Sequence, residues 1–170
     1  MGVETPARVS GVHTRDASLD AAFRHSVYAI DTQVGRLHVS LQRGSPQLAQ
    51  WLANAGVRGG ALLSACNPGA QPLTDADNRA RGARLQQWLR EQDHRWVPAE
   101  GGAADRSWVE PSVFVLGLDA AEAEDCARRF GQLAWLQVDA GGAATLRYVT
   151  PAGGRDAVEQ GDNPAPCTYS

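Results

Sequence analysis

The 170-residue sequence contains no lysine, so all 16 of its basic residues are arginine. This absence excludes every site that needs a lysine amine, such as a Schiff base, a lysine general base or the lysine of a phosphate-binding P-loop. The three cysteines, Cys66, Cys126 and Cys167, have spacings that fit neither a zinc site nor an even set of disulfides. Because the sequence also lacks a signal-peptide pattern and a membrane-spanning apolar run, we expect a cytoplasmic protein with no membrane attachment.

The charge balance gives little attraction for polyanions. The formal net charge is -3, so nucleic acid is not an expected partner. The four histidines are scattered, and none stands at ligand spacing from a cysteine or carboxylate. We therefore expect no metal and no other cofactor, and the sequence identifies no protein partner.

Composition divides the chain into three parts. Residues 1–15 are small and polar and predict a flexible N-terminal arm, whereas residues 151–170 are rich in proline, glycine and charge and predict a disordered tail. Between them, residues 16–150 have the apolar content of a single folded domain.

The hydrophobic patterns predict three to four helices and six to seven strands in mixed order. The segment "GRLHVSL" alternates apolar and polar residues as a half-buried strand does, and "GGALLSAC" is the apolar run of a covered central strand. No glycine-rich dinucleotide motif follows a strand, and the order is too irregular for a doubly wound fold. We expect an α/β (α+β) sandwich, a single domain in which the helices cover a mixed β-sheet.

The stretch "SACNPGAQPLTDADNRAR" predicts a strand end, a loop and the start of a helix over residues 74–92. At helical spacing, Asn78 and Arg81 fall on the apolar stripe of this helix. A buried arginine is unfavourable unless it is paired, so Arg81 needs a carboxylate or a ligand. Asp75 and Asp77 occupy the first turn and disfavour a phosphate there.

Glu110 is the expected partner of Arg81, because it follows Trp108 in a loop and directly precedes the buried strand "SVFVLGL". Two interpretations remain open. In the first, Glu110 and Arg81 form a structural salt bridge. In the second, they form a polar pocket with Asn67 and Asn78 at the strand ends, where α/β sheets bind ligands.

Three stretches, "LLSACNPGAQPLTDADNRARGARLQQWL", "PAEGGAADRSWVEPSVFVLGL" and "ARRFGQLAWL", together resemble the domain-of-unknown-function 3293 family of bacterial proteins. The resemblance covers roughly residues 28–149. The matching positions are Asn67, Pro68, Asn78, Gly101, Trp108, Glu110, Ser112, Phe130, Gly131 and Gln132. Gly69, Ala70 and Leu133 depart from the pattern, since relatives often carry polar residues there. The resemblance implies no particular activity, but it adds Gln132 to the polar residues singled out above.

The sequence therefore predicts a domain that binds a small polar or nucleotide-like ligand. The expected ligand-binding residues are Asn67, Asn78, Arg81, Trp108, Glu110, Ser112 and Gln132. One alternative is a hydrolase or nuclease in which Glu110 acts as general base and Arg81 stabilises negative charge. Another is a protein-interaction module in which the Arg/Glu cluster is purely structural. The sequence does not decide between binding and catalysis.

Overall fold

The computed structural model describes residues 17–150. The helices in this part are α1 (Ala17–His25), α2 (Pro46–Asn54), α3 (Asp75–Glu91) and α4 (Ala120–Arg129), and Pro68–Ala70 forms a short 3-10 turn. The strands are β1 (Val27–Thr32), β2 (Gly35–Leu41), β3 (Gly60–Ser64), β4 (Trp96–Gly102), β5 (Val109–Leu116), β6 (Ala134–Val138) and β7 (Ala143–Tyr148). The expected arm, residues 1–15, and the expected tail, residues 151–170, lie outside the described residues.

The seven strands form a closed barrel in the order β1-β2-β7-β6-β3-β5-β4, and β4 pairs with β1 to complete it. The pairing of β2 with β7 is parallel, and the other pairings are antiparallel. The predicted sandwich is therefore wrong. Alternation of apolar and polar residues is the same along a strand of a sandwich and of a barrel, whereas the pairing that closes the barrel joins strands distant in sequence.

Closure depends on the close approach of β1, β4 and β5. Tyr28 of β1 lies opposite Gly101 of β4, and a Cβ atom at that glycine would lie 3.0 Å from the tyrosine ring. At Gly102, a Cβ atom would lie 2.5 Å from the carbonyl oxygen of Trp108. Two consecutive glycines thus leave the space that the neighbouring ring and backbone occupy.

Two apolar clusters hold the fold together. The first fills the barrel interior and includes Ile30, Leu62, Phe114 and Leu136 from the strands and Leu48, Trp51 and Leu52 from α2. The helix α2 thus covers the end of the barrel at which β3 begins. The second cluster lies outside the barrel, where α3 and α4 pack on β3, β5 and β6 through residues that include Leu85, Leu89 and Cys126.

The interior becomes polar toward the opposite end of the barrel. Because side chains alternate along a strand, Ser64 follows Leu62 on the inner face of β3, and Ser112 and Glu110 precede Phe114 on the inner face of β5. Together with Tyr28 they border a cavity of about 90 Å³. We call this end, defined by Tyr28, Ser64, Glu110 and Ser112, the barrel mouth.

The substitution Phe114→Ala should destabilise the barrel strongly. Phe114 is completely buried at the centre of the interior cluster, and removal of a buried phenyl ring costs about 3–5 kcal/mol in the free energy of unfolding. Val34→Ala is the control, because Val34 is 71% exposed and its truncation should cost less than about 0.5 kcal/mol. Urea denaturation of both variants measures the difference, and a similar loss in each would contradict this account of the core.

Candidate functional site

Glu110 is the central acidic residue of the barrel mouth. The sequence predicted it in a loop, but it lies within β5, where Pro111 pairs with Glu100 of β4. On its other side β5 pairs with β3 only at Ser112–Leu116. Pro111 lies outside that pairing, so its lack of an N–H group removes no hydrogen bond between β3 and β5. Alternation along β5 therefore directs the Glu110 side chain inward.

The Glu110 carboxyl is largely shielded from solvent. Its Oε2 accepts a hydrogen bond of 3.0 Å from Nδ2 of Asn67. Burial raises the pKa of Glu110 above its ordinary value, while the Ser64 hydroxyl and the Asn67 amide act in the opposite direction. Because burial is the largest effect, Glu110 holds a proton more readily than a solvent-exposed glutamate does.

Asn67 is held in an unusual backbone conformation by Asn78. Its φ of 46° and ψ of 57° are left-handed, a region that asparagine tolerates better than most residues. The backbone N–H of Asn67 donates to Oδ1 of Asn78 over 3.0 Å, and Nδ2 of Asn78 donates to Oδ1 of Asn67 over 2.9 Å. The backbone N–H of Leu73 also donates to Oδ1 of Asn67. Asn78 therefore positions Asn67, which in turn contacts Glu110.

Arg81 does not pair with Glu110. Its Nε donates to the carbonyl oxygen of Ala65 over 2.6 Å, and its Nη2 donates to the carbonyl oxygen of Phe130. No ion pair between Arg81 and a carboxylate is present within residues 17–150. The expected salt bridge is therefore wrong, and backbone carbonyls satisfy the partly buried guanidinium instead.

Gln132 and Ser112 border the mouth from two sides. Gln132 donates through Nε2 to the carbonyl oxygen of Cys66 over 2.7 Å, which ties the loop after α4 to the loop after β3. Ser112 donates to the carbonyl oxygen of Glu110 over 3.3 Å. Both residues line the 90 Å³ cavity beside Glu110.

Trp108 is the exposed aromatic residue of the site. It is 48% exposed, and it borders three adjoining cavities of about 90, 210 and 670 Å³. Glu110 lines the same three cavities. The half-exposed indole thus lies beside a partly buried carboxyl, and both face the same concave surface.

Sequence reasoning missed Tyr28, Ser64 and Phe23, which also line the mouth. The Tyr28 hydroxyl donates to the carbonyl oxygen of Phe23 over 2.8 Å, and burial raises the pKa of Tyr28 to about 12. Tyr28 alternates with Ile30 along β1, so the strand pattern carried the signal that its ring faces inward.

The chemistry open to this site does not include a ready thiolate nucleophile. Cys66 is buried, and desolvation raises the pKa of its thiol. Within residues 17–150, no group of three or more histidine, cysteine, aspartate and glutamate side chains is arranged to hold a metal ion. The groups facing the cavities are a carboxyl, amides, hydroxyls and aromatic rings.

These features define a closed, helix-flanked β-barrel with a polar mouth centred on a partly buried carboxyl. Residues 63–135 match the model of a family described as a protein of unknown function (DUF3293), which confirms the resemblance over this part of the chain. The matched segment contains all seven of the expected ligand-binding residues. No curated protein and no solved structure matches the chain. Among the helices of residues 17–150, none combines the length and the apolar character needed to cross a membrane.

Replacement of Arg81 by methionine should lower stability. The carbonyl oxygens of Ala65 and Phe130 would lose their charged donor, at a cost of about 2–3 kcal/mol in the free energy of unfolding. Arg84→Met on the same helix is the control, because Arg84 is exposed and forms no described ion pair. Chemical denaturation compares the two variants. An equal, small effect in both would contradict the bracing role of Arg81.

Glu110 should make stability depend on pH. Its folded-state pKa lies above its ordinary value of 4.5, so the stability it contributes is complete below that pH and is lost as pH rises through the folded-state pKa. Glu110→Gln removes this titration. In chemical denaturations at a series of pH values, the unfolding free energy of the wild-type protein relative to the variant should therefore fall as pH rises from the ordinary value of 4.5 through the folded-state pKa and level off above it.

Glu100→Gln tests the sign of this pH effect. Glu100 accepts from Arg106 and pairs with Arg36, and these contacts hold its pKa below the ordinary value. Its contribution is present above the ordinary pKa and is lost as pH falls through the lower folded-state pKa. In chemical denaturations extended to lower pH, the unfolding free energy of the wild-type protein relative to this variant should therefore rise as pH rises from the lowered folded-state pKa toward the ordinary value of 4.5. Identical pH profiles for both glutamine variants would contradict the assignment.

Proposed function

We propose that the barrel mouth binds a small polar ligand that carries a planar, nucleobase-like ring. The observation that carries the proposal is the convergence of three cavities on Glu110 and Trp108. A concave surface with apolar walls and a few convergent polar groups is the usual form of a small-molecule site.

The polar groups favour a ligand that donates hydrogen bonds. The Glu110 carboxyl accepts from Asn67 through Oε2 and also interacts with the Ser64 hydroxyl, and the two oxygens of a carboxylate can accept more than these two hydrogen bonds. Gln132 uses its amide nitrogen for the Cys66 carbonyl, which leaves its amide oxygen as an acceptor. No arginine lines the 90 or the 210 Å³ cavity within the described part of the chain. This acceptor-rich surface suits N–H groups and disfavours an anion.

Trp108 favours a flat ligand. Its exposed indole offers a face on which an aromatic ring can stack, and such stacking contributes about 1–3 kcal/mol per base. A nucleobase combines that flat face with an N–H edge, which matches Trp108 beside Glu110. The 670 Å³ groove between Trp108 and α3 leaves room for the part of the ligand outside the mouth.

A cytoplasmic setting agrees with this proposal. Cys66 and Cys126 are both buried and free of disulfides, as expected of a protein in a reducing compartment. We therefore propose that the protein acts in the cytoplasm.

An acid–base enzyme is the second candidate, and the raised pKa of Glu110 favours it. A carboxyl that titrates closer to neutrality transfers protons more effectively at physiological pH. The enzyme hypothesis drawn from the sequence used Arg81 to stabilise negative charge. In the structure Arg81 instead donates hydrogen bonds to the carbonyl oxygens of Ala65 and Phe130. Incubation with nucleosides and analysis of the products separates the candidates, since binding alone predicts unchanged substrate.

Glu110→Gln should weaken ligand binding. Glutamine is isosteric but places an N–H donor where the ligand would meet an acceptor, so affinity should fall by about tenfold or more. Native mass spectrometry of freshly purified protein detects a co-purifying ligand, and calorimetric titration with adenosine, cytidine and guanosine supplies defined probes. Trp108→Ala should weaken the same interaction through lost stacking.

Glu100→Gln is the matched control for this experiment. Glu100 lies on the neighbouring strand β4, and its carboxyl contacts Arg36 and Arg106 away from the mouth. Binding by this variant should equal that of the wild-type protein. If no nucleoside binds and nothing co-purifies, or if both glutamine variants lose affinity equally, the proposal fails.

A further inference from the structure

A second concave surface lies on the opposite side of α3 from the groove beside Trp108. Here α3 and the end of α4 enclose a cavity of about 420 Å³. Its lining includes Arg81, Arg84, Trp88 and Arg129, which we call the arginine pocket. Arg81, Arg84 and Trp88 share one face of α3 because they stand three and four residues apart.

The charge of the arginine pocket is not neutralised. Its lining contains three guanidinium groups and one carboxylate, Glu91, which accepts a hydrogen bond from Gln87. No described ion pair involves Arg81, Arg84 or Arg129, whereas the adjacent Arg128 pairs with Glu124 and Asp125. Arg81 is partly buried, whereas Arg84 and Arg129 are exposed, so the pocket presents accessible positive charge that an anion can approach from solvent.

Two of the three cations are already positioned. Arg81 is fixed by its bonds to the carbonyl oxygens of Ala65 and Phe130, while no described acceptor takes a hydrogen bond from its Nη1. The guanidinium of Arg129 lies over the Trp88 ring, 5.9 Å from the centroid. The Phe130 carbonyl at the end of α4 would repel an anion, but Arg81 donates to it. Prior ordering of these groups lowers the entropic cost of binding.

We propose that the arginine pocket binds the phosphate group of a small molecule. A phosphate can accept from several guanidinium groups at once, whereas a carboxylate is matched by a single arginine fork. The Trp88 ring supplies an apolar wall for the rest of such a molecule. The chain's net charge of -3 disfavours a long polyanion such as a nucleic-acid backbone.

Calorimetric titration of the full chain with inorganic pyrophosphate tests the site. The double variant Arg84→Gln/Arg129→Gln removes two guanidinium groups and should weaken binding by about tenfold or more. Arg58→Gln/Arg90→Gln is the charge-matched control, because both residues are exposed and lie outside the pocket. The control should retain wild-type affinity, so that a general effect of net charge is separated from the site.

Three further measurements complete the test. Circular dichroism and the thermal midpoint check that the variants fold. The single variant Arg84→Gln keeps the contact of Arg129 with Trp88 and should give an intermediate loss of affinity for pyrophosphate. Acetate at equal ionic strength should not compete with pyrophosphate. Absence of saturable pyrophosphate binding, equal loss in the control, equal binding of acetate, or arginine-dependent binding of an oligonucleotide without binding of pyrophosphate would each overturn the proposal.

Discussion

Closure of the barrel by β1 is the constraint on which the candidate site depends. This strand pairs with β2 on one side and β4 on the other, so the sheet has no free edge and its interior opens only at the two ends. Leu48 and Leu52 of α2 fill one end. An inward-facing polar side chain can reach solvent only at the other end, and Ser64 and Glu110 lie there. The polar mouth thus follows from how the barrel closes.

The hydrogen-bond network around Glu110 is more elaborate than the stability of the fold requires. Well-packed apolar residues in place of a buried charged group are often neutral or stabilising. Here the chain places Asn67 in a left-handed conformation, and Asn78 satisfies both its backbone N–H and its side-chain oxygen. Within residues 17–150, no buried side-chain nitrogen or oxygen lacks a hydrogen-bond partner. A satisfied network that ends at a carboxyl beside open cavities fits a group held ready for a ligand.

The sequence predicted local structure better than tertiary pairing. Helical spacing correctly placed Asn78 and Arg81 on the inward side of α3, and the neighbourhood of Asn67 and Glu110 also followed from strand ends. The partner of Arg81 could not be predicted, because a backbone carbonyl carries no residue-specific signal. Barrel closure was missed for a related reason, since β1 and β4 are separated by more than sixty residues and no local pattern encodes their pairing. The sequence analysis did not include Tyr28 in the site, although the alternation of residues along β1 predicts that its ring faces inward.

Arg81 connects the two surfaces that we assign to ligands. Its contact with the Ala65 carbonyl braces the chain just before Asn67, and its contact with the Phe130 carbonyl braces the chain just before Gln132. The two loops that contribute these amides to the barrel mouth are therefore tied to one guanidinium. The same side chain borders the arginine pocket on the other side of α3. Arg81 is therefore the one side chain that both braces the loops of the barrel mouth and lines the arginine pocket, within the described residues.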